Sequence, residues 1–354
     1  MSYLINNSFI STNTNATNDV EQELLLDPII PSSPVQFWTF LIFQIPSLAC
    51  TIFLLFHLLF DRKLRTALHN HIIIILLLLT LCIEIFDNPL YMDAYRLGGY
   101  RNSFPMTPSI CLMWWLIDYG FYGAISVFLA WGSFERHILI FHQQLLRTQK
   151  QKFFIHYLPL IIISIYIFGF YIFVIYFPPC VNTFDYTSPS CGSSPCYEDI
   201  SYLNVWDYLG NGIFCAFLET IFSTGLLARV LIQKHRAHQP INLRKHRMMT
   251  IQLLSVSCLS LTIVFPQSLI IVIRQIGGEN MSDFASGVDP YLFYLYTFVV
   301  FLLPFICLGT LSEVSKKLWI FNKKRRNIGP MARRNAVCVH SFEVRPKPNL
   351  PIVQ

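Results

Sequence analysis

The length of its apolar runs limits this chain more than any other feature. Seven stretches are almost free of charge: Val35 to Phe60, His71 to Tyr91, Ser109 to Phe134, Phe153 to Phe177, Tyr208 to Ile232, Met248 to Ile273 and Tyr291 to Leu311. A helix needs about 20 such residues to cross the hydrocarbon of a bilayer. Of the 354 residues 54% are hydrophobic and 13% charged, roughly half the charged share of a soluble domain. A soluble fold could not bury so much apolar surface, which excludes a disordered chain, a nucleic-acid-binding domain and an ordinary cytosolic enzyme. The fold class expected is an all-α membrane protein, with a seven-transmembrane helix bundle over residues 35–311.

Charge sets the expected orientation, because Lys and Arg stay on the cytoplasmic side of short loops. No Lys or Arg precedes the first run. With the N-terminus outside, only Arg96, Arg101 and Arg274 of the 26 basic residues face outward. The N-glycosylation acceptors Asn6, Asn15 and Asn280 fall on the same outer side, where such sequons are used. Residues 1–34 read as a flexible, glycosylated extracellular tail without a cleavable signal peptide, and the first span serves as the insertion signal. The expected location is the plasma membrane, multi-pass, with the C-terminus cytoplasmic.

Cysteines sort by side as well. Cys111, Cys180, Cys191 and Cys196 fall outside, where disulfides are permitted. Four cysteines allow three pairings. Cys111 opens the third span and the others lie in the loop after the fourth, so one bridge joins loop to helix. The favoured set is Cys111 with Cys196 and Cys180 with Cys191. That loop, 178–207, reads as a stapled cover over the bundle's outer mouth. Beyond the last span, residues 312–322 place Val314, Leu318 and Phe321 opposite Glu313, Lys316 and Lys317. This suits an amphipathic helix on the membrane surface. Residues 323–354 are a basic, disordered cytoplasmic tail, whose Lys323-Lys324-Arg325-Arg326 run would sit on anionic membrane lipids.

Several motifs resemble the rhodopsin-like (class A) G-protein-coupled receptors. Glu135-Arg136-His137 ends the third span like that family's acidic-Arg-aromatic triplet, and Cys111, 25 residues earlier, stands where the family has its disulfide cysteine. Arg62-Lys63-Leu64-Arg65-Thr66 with Asn70 resembles the first inner loop, and Pro266 and Pro304 fall where the sixth and seventh helices kink. The resemblance implies that Glu135, Arg136 and His137, with His246 in the place of a locking acid, face a heterotrimeric G protein. It also implies an extracellular small-molecule or peptide ligand. Departures are Thr51, Thr80 and Leu303 in the polar network that binds sodium in the family, so no metal site is expected, and Val264 and Cys307 at two switch positions.

Ionisable groups inside spans are costly and mark sites. Asp118, 18 residues before Arg136, stands where amine receptors of the family hold an ammonium group. A carboxylate there makes a charge-assisted hydrogen bond, and Trp114, Tyr119 and Tyr294 could add cation-π contacts. Glu84 and Asp87, one turn apart, either join that pocket or cap a break at Asn88-Pro89. The plain alternatives are that Asp118 hydrogen-bonds within the bundle and that Arg136 snorkels to lipid phosphates. Phe168 to Phe177 reads as lipid-facing packing. The expected function is that of a receptor, not an enzyme, with no cofactor. A proton- or ion-coupled transporter using Glu84, Asp87, Asp118 and Glu219 is the competing reading. A retinal photoreceptor is excluded, because no Lys lies between Lys245 and Lys316.

Overall fold

The structure, a computed structural model, describes residues 31–98, 105–186, 189–192, 194–237, 265–276 and 279–310, with the single positions Ser255, Cys258, Thr262 and Ile263. Among the described residues every regular element is helical. The main helices are α1 (Ser33–Phe60), α2 (Leu68–Arg96), α3 (Pro108–Phe141), α4 (Gln149–Tyr176), α5 (Ser201–Arg229), α6 (Phe265–Ile276) and α7 (Glu279–Thr310). Six of them, α1 to α5 and the Tyr291–Gly309 part of α7, are long and apolar enough to cross a membrane. Half of the run Met248 to Ile273 lies outside the described residues. So do Asn6, Asn15, His246, Val264, the segments 312–322 and 323–354, and all but the last four residues of the 1–34 tail. Asn280 belongs to α7, its side chain outside the described ones.

In α1 the helix period sorts residues in a way opposite to a soluble protein. Gln36, Phe40, Gln44, Ser47, Thr51, Leu54 and Leu58 form one buried stripe at spacings of three and four. Trp38, Ile42, Ile45, Ile52 and Phe56 are exposed on the other face. Polar groups therefore point inward and large apolar groups outward, over far more surface than a soluble monomer leaves uncovered. Only lipid satisfies that arrangement. Phe40 anchors α1 to α2 and α7, its ring 5.4 Å from Tyr95, 5.6 Å from Tyr294 and 5.5 Å from Phe301.

Helix starts follow local chemistry. Thr107 caps α3 by accepting from the Ile110 amide at 3.4 Å, with Pro108 in the first turn. Thr148 and Gln151 form a capping box at the start of α4. The contacts α1–α2, α2–α3, α3–α4, α3–α5, α5–α6, α6–α7 and α7–α1 close a ring. Within it α3 is the most enclosed span, 61% buried, and α4 the least, 28%.

Among the six helices of membrane-crossing length, the described residues show a π-helical turn in four: Ile83–Asp87 in α2, Leu116–Phe121 in α3, Phe153–Tyr157 in α4 and Trp206–Phe214 in α5. Each holds buried polar side chains, respectively Glu84 and Asp87, Asp118, His156, and Asp207 and Asn211. Such widened turns often accompany functional sites. In α2 the turn precedes Pro89, which lacks an amide hydrogen and clashes with the turn before it. The extra residue absorbs that, and α2 continues to Arg96 without the expected break.

Candidate functional site

Cys111 pairs with Cys191 and Cys180 with Cys196, so all four outer cysteines are bonded but the favoured pairing is wrong. The reason lies in the loop, which doubles back. The Asp185 amide donates to the Cys191 carbonyl at 2.8 Å, and Phe184 stacks on Trp115 at 5.1 Å. Cys191 turns with φ 60° and Gly192 with φ 80°, a hairpin-like return that lays Cys191 on α3. Cys196 is thereby left for Cys180, to which Asn182 also ties the chain by accepting from the Cys196 amide at 3.0 Å.

Beneath this loop a cavity of about 70 Å³ opens between α3, α4, α5, α6 and α7. Asp118, Tyr119, Tyr122, Asp207, Gln267 and Tyr296 are among the residues lining it. Asp118 is 2% exposed and accepts from the Tyr91 hydroxyl at 3.0 Å through Oδ2. Its other oxygen, Oδ1, has no hydrogen-bond partner, nor have the hydroxyls of Tyr119 and Tyr122 or the Gln267 amide nitrogen. Buried polar atoms are rarely left so. The cavity presents a carboxylate oxygen and two hydroxyls that can accept, and one amide that can donate.

The second carboxylate in the wall, Asp207, is fully engaged. Tyr171 donates to it at 2.6 Å, Asn211 at 3.1 Å and Tyr197 at 2.9 Å. Tyr197 belongs to the loop, in the turn that follows Cys196. Burial, with the Asp207 charge beside it, pushes the Tyr197 phenol well above its ordinary value, so it donates across the physiological range. Tyr171 reaches Asp207 only because α3 has Gly123 at the crossing, where a Cβ would lie 2.0 Å from the Tyr171 hydroxyl oxygen. Asp207 thus joins the loop, α4 and α5, and it frames the cavity without offering it a free oxygen.

Of the residues expected in the ligand site, Asp118 and Tyr119 line the cavity. Trp114, Tyr294 and Glu84 do not. Trp114 donates to Asp87 at 2.7 Å. Together with Tyr91 and Asp118 this makes a crossed brace, each helix giving one carboxylate and one donor a turn apart. Tyr294 lies flat against Phe40. Glu84 faces α1, where Ser47 contacts its carboxylate, Gln44 donates to its carbonyl, and Asn88 donates to Gln44 at 2.8 Å.

At the far end of α3 the triplet is inside the helix, not at its end. Glu135 and Arg136 are buried, 2% and 8% exposed. Glu135 pairs with His156 of α4, and among the described residues no ion pair joins it to Arg136. α4, not the neighbouring Arg136, supplies the partner of Glu135. His137 turns the other way and donates Nε2–H to the Phe222 carbonyl at 2.5 Å, while Ser223 and Ser133 are 3.2 Å apart. Both tie α3 to α5. Pro266 and Pro304 lie in α6 and α7 as expected. Thr51, Thr80 and Leu303 are all buried, and no cluster of metal-ligating side chains occurs among the described residues.

Sequence reasoning missed Asp207, Tyr171, Tyr197 and His156. Asp207 was assigned to the loop, but α5 starts earlier, at Ser201, and draws it into the bundle. Its signal was Asn211, four residues on and so on the same helix face. Tyr171 sat hidden in an apolar run whose neighbours Ile172 and Phe173 do face outward. His156 was the one imidazole within Phe153–Tyr157.

Compared with known proteins, the chain matches no protein-family model and no curated protein. Its own geometry therefore defines it: among the described residues, every regular element is helical, six helices are of membrane-crossing length, and polar side chains lie in the interior.

Proposed function

We propose that the chain is a seven-helix receptor that binds a small cationic ligand between α3 and its neighbours and activates a heterotrimeric G protein at the Arg136 end. The observation that carries this reading is the unpartnered Oδ1 of Asp118 in the wall of the cavity. An ionised carboxylate without a counter-charge is expensive to bury, and an ammonium group supplies both charge and donors. Arg136 lies on the same helix, 18 residues and about five turns away. A ligand that favours one of two packings at Asp118 would bias the other end of the bundle. In this reading the disulfide end is extracellular, the run Met248 to Ile273 supplies the sixth span and brings the count to seven, and 312–322 is a surface helix.

The test is guanine-nucleotide exchange in membranes from cells expressing the chain, challenged with biogenic amines and short peptides. We expect an amine response that Asp118→Asn abolishes and an output that Arg136→Ala abolishes with surface expression retained. Buried carboxylates on α2, α3 and α5 also favour a second reading, proton- or ion-coupled transport. Ion or proton flux in proteoliposomes, with no nucleotide exchange to any ligand, would replace the first reading by the second.

A further inference from the structure

At the Arg136 end, three titratable side chains from three helices stand in line. His71 Nε2 of α2 lies 3.0 Å from the Arg65 carbonyl oxygen, and His71 Nδ1 lies 2.7 Å from His156 Nε2 of α4. His156 Nδ1 meets the Glu135 carboxylate of α3. His156 is 0% exposed and Glu135 2%, whereas His71 is half-buried beside the exposed Arg65.

The protons along this line can be counted. A carbonyl oxygen can only accept, so His71 Nε2 carries a hydrogen. The contact between the imidazoles needs a second, and the contact between His156 and Glu135 a third. Two neutral imidazoles hold two protons and a carboxylate holds none. We propose that His71, His156 and Glu135 form a single binding site for one proton, shared along the line, which cancels the Glu135 charge and clasps α2, α3 and α4 together.

The other groups facing the line do not remove the need for that proton. Tyr157 of α4 presents its ring, 4.8 Å from His156 and 5.6 Å from His71. Arg65 contributes its carbonyl, and Arg136 of α3 is buried without an ion pair to Glu135. When the proton leaves, it passes to water from His71, the member nearest solvent. Two protons then remain for three contacts. One contact opens, Glu135 keeps its full negative charge, and Arg136, the only arginine in α3, becomes its counter-ion. The proton count stands whether or not the chain is a receptor. Under the receptor reading, alkaline pH moves Glu135 from α4 to Arg136.

The folded site holds one proton, whereas the two free imidazoles of the unfolded chain lose theirs as pH passes about 6.5. Above that pH the folded chain therefore binds more protons than the unfolded one, and stability falls as pH rises. Glu135→Gln is the decisive variant. A carboxamide can donate to His156 Nδ1, so two neutral imidazoles then satisfy all three contacts with no shared proton. For the full chain in lipid nanodiscs between pH 6.5 and 8.5, we expect the wild-type unfolding midpoint to drop by about 3 °C or more relative to that of Glu135→Gln. The midpoint of Glu135→Gln, whose folded imidazoles are neutral while the unfolded ones still bind protons at about pH 6.5, should rise slightly over that range. Parallel pH dependence in the two proteins would overturn the proposal. A second readout does not depend on stability: nitrogen-15 NMR of labelled histidines, with His156→Asn assigning the signals. Wild type at pH 6 should show a doubly protonated imidazole or one sharing its proton with Glu135, absent in Glu135→Gln. Two ordinary neutral imidazoles beside an ionised Glu135 would also overturn it.

Discussion

The two ends of α3 treat a buried carboxylate in opposite ways. At the disulfide end Asp118 keeps one oxygen without a partner, beside hydroxyls and an amide in the same condition. At the other end Glu135 sits in a line of contacts that runs through two imidazoles to a backbone carbonyl. Both carboxylates are 2% exposed, so burial alone does not distinguish them. The difference lies in what surrounds them. Asp118 borders a cavity and Glu135 borders another helix, which makes the first end suited to receiving a group from outside and the second to holding helices together. Asp207 shows a third arrangement, a carboxylate with three donors that serves as a fixed post for the cavity wall.

That contrast can be broken at several points. The largest effect should come from the staple above the cavity. Removing Cys111 opens a link spanning 80 residues, and removing Cys180 opens one of 16. Loop-closure entropy makes the first cost about 4–5 kcal/mol and the second about 3 kcal/mol. We expect Cys111→Ser to lose more folded, surface-exposed protein than Cys180→Ser. Non-reducing peptide mapping should recover Cys111 with Cys191; recovery with Cys196 would reject the folded-back loop.

Next, His156→Ala removes the proton-sharing partner that holds Glu135 to α4 and should cost about 3 kcal/mol, read as loss of thermal stability at pH 6. Gly123→Ala forces Tyr171 away from Asp207 and leaves a charged acceptor short of a donor, at about 1–3 kcal/mol. Adding Tyr171→Phe to Gly123→Ala should recover part of that loss, since the clashing hydroxyl is then gone. The smallest effect belongs to Asp118→Asn. A residue so deeply buried is ordinarily expensive to change, yet this variant removes an uncompensated charge and keeps an acceptor for Tyr91. Its stability should lie within about 1 kcal/mol of wild type or above it, while the amine response disappears. A large destabilisation by Asp118→Asn would mean that Asp118, like Glu135, is held by its surroundings.

Much of the fold was legible because lipid imposes simple rules. Six of the seven apolar runs correspond to spans, within a few residues at most ends, since their length answers to a fixed hydrocarbon thickness. The start of α5 was misjudged because Tyr202, Asn204 and Asp207 look like loop residues until a neighbouring Tyr171 and Tyr197 give Asp207 its donors. Asp118, singled out as a charge inside a span and placed in a ligand site by the family resemblance, does line the cavity. Glu84, Trp114 and Tyr294 were misplaced because a helix position specifies a direction only after its neighbours are packed. Glu84 turned to Ser47 and Gln44, Trp114 to Asp87, and Tyr294 to Phe40.

The sequence by itself therefore determined the solvent this protein lives in, the number and length of the apolar runs, and which cysteines are bridged. These follow from composition and from helix period, properties a residue carries locally. Only the tertiary structure decided the pairing of those cysteines, the partner of Glu135 and the absence of a free oxygen on Asp207. Each depends on which side chain of a distant segment arrives within about 3 Å, and hydrogen bonds are too short and too directional to be inferred from spacing along one chain.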